Sequence, residues 1–312
     1  MYFLLIVIYI MVAEIAIIII CFIIIIYIKV RAIPKSIVNA PDDLSNVRGI
    51  AISSGGIYGY MVPAILLNLQ KRGLRSEALT HFVGTSVGAI TCAMLAMHMN
   101  PSEIKDVMFR FNTKTLNASS GSYGSCFPGI DMISSDAISE FLGSVIGDIT
   151  FQELYNTYGS TLIVVTSELS IFSKPFYISR FNYPNMRVCD AVQISSAIPA
   201  IMAPVRLDGR WLADGAATDP YPFKKLKQYL PVQSCIGILF DYYNTQITAN
   251  CFTINSDSIY AAAQSRAHPW NTLSTRDRMR TIRVACNDCE SMNILDLTDA
   301  DKERIYQHGL LH

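Results

Sequence analysis

Charged side chains are scarce in this sequence. They make up 16% of its 312 residues, against about 25% in an average globular chain. The 25 basic and 25 acidic residues cancel, and no stripe of Lys and Arg interleaves with aromatics, so nucleic acid is not an expected partner. No GxxxxGK[ST] loop is present to cradle a nucleotide. A dinucleotide fingerprint would need glycine at position 54, where Ser54 stands. The eight cysteines are scattered without the spacing of a disulfide framework. Cys286 and Cys289 form one CxxC and no second accompanies it, whereas a structural zinc site takes four ligands. Reduced, structural thiols are the better reading, and neither a metal nor a cofactor is expected. No internal repeat is visible.

Apolar residues, by contrast, reach 51%, and much of the excess sits at the N-terminus. Residues 1–28 carry one charge, Glu14. The run exceeds the ~20 residues that span a bilayer as a helix and is longer than the apolar core of a cleaved signal. Lys29, Arg31 and Lys35 follow it. One N-terminal transmembrane helix over 1–28 is expected, and the positive-inside rule places the globular part in the cytoplasm. Glu14 is costly in mid-span unless protonated or paired. Residues 29–46, with Pro34 and Pro41, read as a linker. The remainder, 47–312, reads as one domain.

That domain opens as strand–loop–helix–strand–turn–helix. Val47–Ser53 is a short apolar strand, Met61–Leu69 a helical pattern closed by Gly73, His81–Val83 a second strand, and Ala89–Met99 a helix apolar on most sides. The order marks an α/β fold with a mostly parallel central sheet. Asn100-Pro101 starts another helix. Residues 112–130 read as a loop or lid. Helices are expected near 135–146, 150–158 and 190–197, and between 256 and 266. Further strands are expected at Thr161–Thr166, Phe176–Ser179, Cys235–Phe240 and Thr281–Ala285.

Three short motifs carry chemistry. Gly84-x-Ser86-x-Gly88 lies between a strand and a helix, where a sharp turn exposes the serine hydroxyl and flanking glycines relieve crowding. The helix N-terminus behind it favours developing negative charge. Gly55-Gly56, with Gly59 just after, follows the first strand, and adjacent glycine N–H groups are suited to hold an oxyanion. Asp214-Gly215 is either an ordinary turn or the base that takes the serine proton. A Ser–Asp–His order is also open, because His268, His308 and His312 follow Asp214; of these His268 is the serious candidate.

Taken together, SSGGIYG, GTSVG and DGA in that order resemble the patatin-like phospholipases. Ser195-Ser196-Ala197-Ile198-Pro199, then Ala203-Pro204-Val205 and Asp208-Gly209, are similar to the family's approach to its aspartate, and NILDLTDADKERIYQHG to its last strand and helix. The resemblance covers about residues 48–310. It implies a three-layer α/β fold related to cytosolic phospholipase A2 and a Ser–Asp dyad without histidine. Carried over, Ser86 is the nucleophile, Asp214 the proton acceptor, and Gly55 and Gly56 the oxyanion hole. Gly59, Gly84, Gly88, Gly215 and Ala216 are the remaining motif positions. The implied activity is hydrolysis of a membrane lipid ester. Two positions depart from the pattern: Ser54 replaces the first loop glycine, and Tyr58 replaces the usual basic residue. They motivate a third reading, a membrane-bound lipid-binding protein with an impaired site.

Overall fold

The computed structural model describes residues 37–38, 43–112, 136–170, 173–199, 202–241, 268–286 and 297–312. The transmembrane helix expected over 1–28, most of the expected lid and the helix expected at 256–266 lie outside them. Among the described residues no helix is long and apolar enough to cross a membrane. Ser36–His312 forms one unit, separate from Met1–Lys35.

The core of that unit is one sheet. Its strands are β1 (Ile37–Val38), β2 (Gly49–Ile52), β3 (His81–Thr85), β4 (Thr161–Glu168), β5 (Lys174–Ser179), β6 (Val205–Leu207), β7 (Arg210–Asp214), β8 (Cys235–Asp241) and β9 (Thr281–Ala285). Along the sheet the order is β1-β9-β8-β2-β3-β4-β7-β6, with β5 also on β4. β9, β8, β2, β3 and β4 are mutually parallel. β1, inside the span read as a linker, pairs antiparallel with β9.

Both faces of the parallel strands are covered, which is why they read as nearly unbroken apolar runs. On one face pack α1 (Val62–Lys71), α2 (Val87–Ala96), α3 (Pro101–Arg110), α4 (Asp136–Ile146), α5 (Phe151–Tyr158), α6 (Val188–Ser195) and α9 (Asp299–Gly309). Phe82, Leu162, Val164, Ile236 and Ile238 point to that side. On the other face, α7 (Phe223–Leu226) and the segment around Trp270 and Leu273, leading into α8 (Thr275–Arg278), cover Val83, Ile163, Val165 and Leu239. The result is the three-layer α/β architecture.

Local signals in the sequence set several boundaries. Asn100 caps α3 and Thr150 caps α5, each in a capping box with the glutamate three residues on; such a cap is worth about 1 kcal/mol. Gly73, at φ +89°, ends the turn after α1 as expected.

The register around β4 decides what meets at the site. Val165 faces Thr85 of β3 on one side and Tyr177 of β5 on the other. Thr166, the next residue, faces Asp214 of β7 and Phe176 of β5. So β3 and β7 lie along the same side of β4. β3 runs up and stops at Thr85, while β7 runs down antiparallel and stops at Asp214. The two strands meet end to end, one position apart, about 3.4 Å of strand rise.

Candidate active site

Ser86 follows β3 directly and occupies the N-cap of α2. Its backbone is at φ 56°, ψ −125°, in the positive-φ region that non-glycine residues enter only where the surroundings impose it. The glycines two residues to either side allow that turn. A Cβ on Gly84 would overlap the backbone of Gly88, and one on Gly88 would overlap Ile52 O and lie 2.6 Å from Ser53 O. The elbow is therefore packed backbone to backbone against the end of β2, where the glycine loop begins.

Asp214 ends β7 and is fully buried. Its Oδ1 accepts from the Ala216 N–H at 2.8 Å, which starts a short 3-10 turn over Gly215–Ala217. A Cβ on Gly215 would overlap Val165 O and lie 3.0 Å from Thr85 Cγ2. Only glycine lets the chain leave β7 this close to the end of β3. The strand alternation that puts Phe82 on the α2 face also puts Ser86 there, and the alternation that buries Leu212 on that face carries Asp214 with it.

A third segment ties the two together. At the end of α6, Ser195 Oγ accepts the Ser86 N–H at 2.9 Å and donates to Val165 O at 2.6 Å. Two residues on, Ala197 O accepts the Asp214 N–H at 2.8 Å. The backbones of Ser86 and Asp214 are thus held by one short stretch of chain. Ser195 is the residue whose role sequence reasoning missed. The motif around it is visible in the sequence, but nothing in a linear pattern shows that a serine hydroxyl bridges the Ser86 turn and strand β4.

The glycine loop joins the same cluster. Ser54 N–H donates to Pro220 O at 2.9 Å, and Thr85 Oγ1 donates to Asp219 O at 2.9 Å. Gly55 packs on the Phe240 ring, and Gly59 packs under Val87 of α2. Gly56, at φ 50°, opens a 3-10 turn over Gly56–Met61, and the first N–H groups of such a turn have no acceptor within it. Ser54 itself avoids positive φ, so the departure at this position brings no backbone strain there. Its buried Oγ has no hydrogen-bond partner among the described residues. Tyr58 is buried, stacks on Phe240 and donates its O–H to Cys286 O at 3.1 Å. It fills the position of the family's basic residue as part of the core.

Beside Ser86 lies a cavity of about 130 Å³, roughly ten times the space one water centre needs. Gly56 and Ser86 line it together with Ile57, Ile90, Met108, Phe141 and Met202, and no charged side chain among the described residues lines it. Its walls suit an acyl chain.

His268 sits elsewhere. Its Nε2 lies 2.5 Å from Asp241 Oδ1, and Arg283 Nε donates to Asp241 Oδ2. Asp241 ends β8 in alternation with Leu239, on the face covered by Trp270 and Leu273. Asp241 therefore points to the opposite side of the sheet from Ser86 and Asp214. His308 lies on α9 and pairs its ring with His312. The described cysteines, Cys92, Cys189, Cys235 and Cys286, are buried thiols; Cys289 lies outside the described residues. No cluster of three or more potential metal ligands occurs among the described residues.

Fold and elbow place the chain in the α/β class, with a sharp serine turn where a parallel strand of the sheet ends. The family model for patatin-like phospholipase matches residues 50–227, and the chain belongs to that family. Uncharacterized protein R571 of Acanthamoeba polyphaga mimivirus is 26% identical over 276 residues, covering 85% of this chain and 92% of that protein. Probable lipid hydrolase 463L of Invertebrate iridescent virus 6 is 21% identical, covering 83% and 85%. Triacylglycerol lipase ptl3 of Schizosaccharomyces pombe is 26% identical over 160 residues, 48% of this chain and 32% of that one. Among solved structures, VipD from Legionella pneumophila has the same fold, with a TM-score of 0.53 at 14% identity; the match covers 85% of this chain and 65% of VipD.

Proposed function

We propose that this chain is a lipid acyl hydrolase in which Ser86 is the nucleophile and Asp214 its proton acceptor. The observation that carries the reading is the end-to-end meeting of β3 and β7 on one side of β4, which sets Ser86 and Asp214 on the same face beside an apolar cavity. Family membership supports the substrate class, a carboxylic ester of a lipid. So does the printed name of the iridescent-virus relative.

The reaction is a two-step acyl transfer. Asp214 accepts the Ser86 hydroxyl proton as Oγ attacks the ester carbonyl, giving a tetrahedral oxyanion. Gly55 and Gly56 N–H groups at the glycine loop stabilise it, each such donor being worth about 3–4 kcal/mol. The Ser86 N–H is spent on Ser195, which leaves that task to the loop. The intermediate expels the alcohol, which takes the proton from Asp214. Water then attacks the acyl-serine, gives its proton to Asp214, and the fatty acid leaves as Oγ recovers its hydrogen.

Turnover of a radiolabelled glycerolipid by the full chain tests this. Wild type releases fatty acid, while Ser86→Ala and Asp214→Asn each fall by roughly a thousandfold or more, the scale seen when members of a catalytic set are removed singly. Activity retained in folded Ser86→Ala, or its absence from folded wild type across phospholipid and neutral-lipid substrates, refutes the proposal. The membrane segment at 1–28 and a cytoplasmic location for the domain belong to the same proposal. They rest on apolar length and on the cations at Lys29, Arg31 and Lys35.

A further inference from the structure

Lysine is rarely buried without a full set of partners. Lys302, in the first turn of α9, is 4% exposed. Its Nζ has an acceptor for each of its three N–H groups: Phe109 O at 2.8 Å, Phe111 O at 3.1 Å and Asp299 Oδ1 at 3.1 Å. Phe109 belongs to the last turn of α3, whose carbonyls lack donors within the helix and whose dipole favours a cation. Phe111 is the residue at which α3 ends. The lysine therefore pins the end of α3 to α9. Other contacts run along the same seam. Lys105 Nζ of α3 lies 3.0 Å from Glu303 Oε2 and 3.8 Å from the Tyr306 ring centroid. Phe109 packs edge-on against both Tyr306 and Tyr60.

The pinned residue is part of the cavity wall. Phe111 lines the cavity beside Met108 of α3 and Leu297, which precedes α9. Against it packs Phe141 of α4, another lining residue, with the ring centroids 4.7 Å apart. Lys302 itself is not among the lining residues. We infer that the Phe111–Phe141 pair gauges the acyl chain the site accepts, and that Lys302 is the positioning residue that keeps Phe111 in the wall. The inference rests on the lipid-hydrolase reading, because it takes the acyl group bound for Ser86 as the cavity's occupant. A protein interior is packed densely enough to transmit strain rather than absorb it. A ring whose backbone is fixed thus limits what fits beside it, and a ring on a loose helix end yields. One methylene more or less in a fitted apolar pocket changes discrimination by roughly tenfold or more.

The test is a series of p-nitrophenyl esters, butyrate, octanoate, laurate and palmitate, presented to the full chain in mixed micelles. The readout is kcat/KM across the series. Phe111→Ala enlarges the cavity and should move the preferred ester toward longer chains, raising the ratio of palmitate to butyrate by roughly tenfold or more. Phe141→Ala should do the same. Lys302→Met keeps the aliphatic stem and loses the three hydrogen bonds; it should move the ratio in the same direction, through KM more than kcat. In the Phe111→Ala background Lys302→Met should add nothing to the ratio, because the ring it positions is gone. A wild-type ratio in Phe111→Ala or in folded Lys302→Met overturns the inference. So does a Lys302→Met shift that persists undiminished without the ring. If Lys302→Met does not fold, the Phe111→Ala and Phe141→Ala ratios decide. Failure of the hydrolase reading looks different: wild type then cleaves none of the series, or Ser86→Ala cleaves it as well as wild type does.

Discussion

Replacing Ser195 by alanine removes one oxygen and leaves two groups without their partner. The Ser86 N–H loses its acceptor and Val165 O loses a donor, both next to a residue that is fully buried. A buried polar group left unsatisfied costs about 1–3 kcal/mol. The lost bonds also release a turn held at φ 56°, where confinement stores about 1–3 kcal/mol, so part of the penalty returns as the elbow relaxes. A net loss of about 2 kcal/mol is expected, or roughly 4–8 °C in Tm for a domain of this size. The relaxation moves the Ser86 hydroxyl relative to Asp214, and a displacement near 1 Å costs about a hundredfold in rate. The expected kinetic signature is therefore a large fall in kcat with KM nearly unchanged, since Ser195 is absent from the cavity lining. Ser196→Ala is the control for stability alone, because Ser196 lines the cavity: its hydroxyl donates to Val192 O of α6, so stability should change by less than about 1 kcal/mol. Ester turnover of Ser195→Ala and thermal unfolding of both variants settle the matter. Folded Ser195→Ala with wild-type kcat would falsify the bridging role.

Other substitutions probe the surrounding framework. Gly88→Ala sets a methyl group against Ile52 O and Ser53 O; a loss of about 3 kcal/mol in denaturant unfolding is expected, together with loss of activity as the elbow and glycine loop are forced apart. His268→Ala removes a partner of the buried Asp241, so stability should drop by about 1–3 kcal/mol while ester turnover stays close to wild type. Asp219 gives a pH test. Burial raises its pKa above the ordinary 3.8, against the Tyr177 hydrogen bond and the charges of Lys224 and Lys225, which lower it. The folded state thus holds the proton more tightly than the unfolded one. That contribution is full below 3.8 and is lost as pH rises through the raised value. Asp219→Asn keeps an acceptor for the Tyr177 hydroxyl and should be more stable than wild type at neutral pH, with the gain vanishing in acid. A constant gain across pH in urea titrations would contradict the assignment.

Much of the sheet was legible because its strands are buried on both faces and bounded by turn residues, as with Thr161–Glu168 and Cys235–Asp241. Capped helices were legible for the same local reason. The β6–β7 hairpin carries no clear strand signal in the sequence. Its Asp208-Gly209 turn, with φ of 47° and 80°, is the type that joins hairpin strands, but β6 is three half-exposed residues long, too short for the alternation of Val205, Arg206 and Leu207 to stand out as a strand. Motif order brought Ser86 and Asp214 together on paper without saying how. The physical answer is a register, Val165 opposite Thr85 and Thr166 opposite Asp214, which no periodicity within either strand encodes. The position of His268 was illegible for a related reason: its partner Asp241 takes its face from strand alternation in β8, a different segment of the chain.

The most direct test of the Ser86–Asp214 assignment is covalent labelling of the full chain by an alkyl fluorophosphonate, with the adduct mapped by peptide mass spectrometry. The account predicts a single adduct on Ser86, formed far more slowly in Asp214→Asn and at the wild-type rate in His268→Ala. An adduct on another residue, or a rate that collapses with His268 and survives loss of the Asp214 carboxylate, would contradict it.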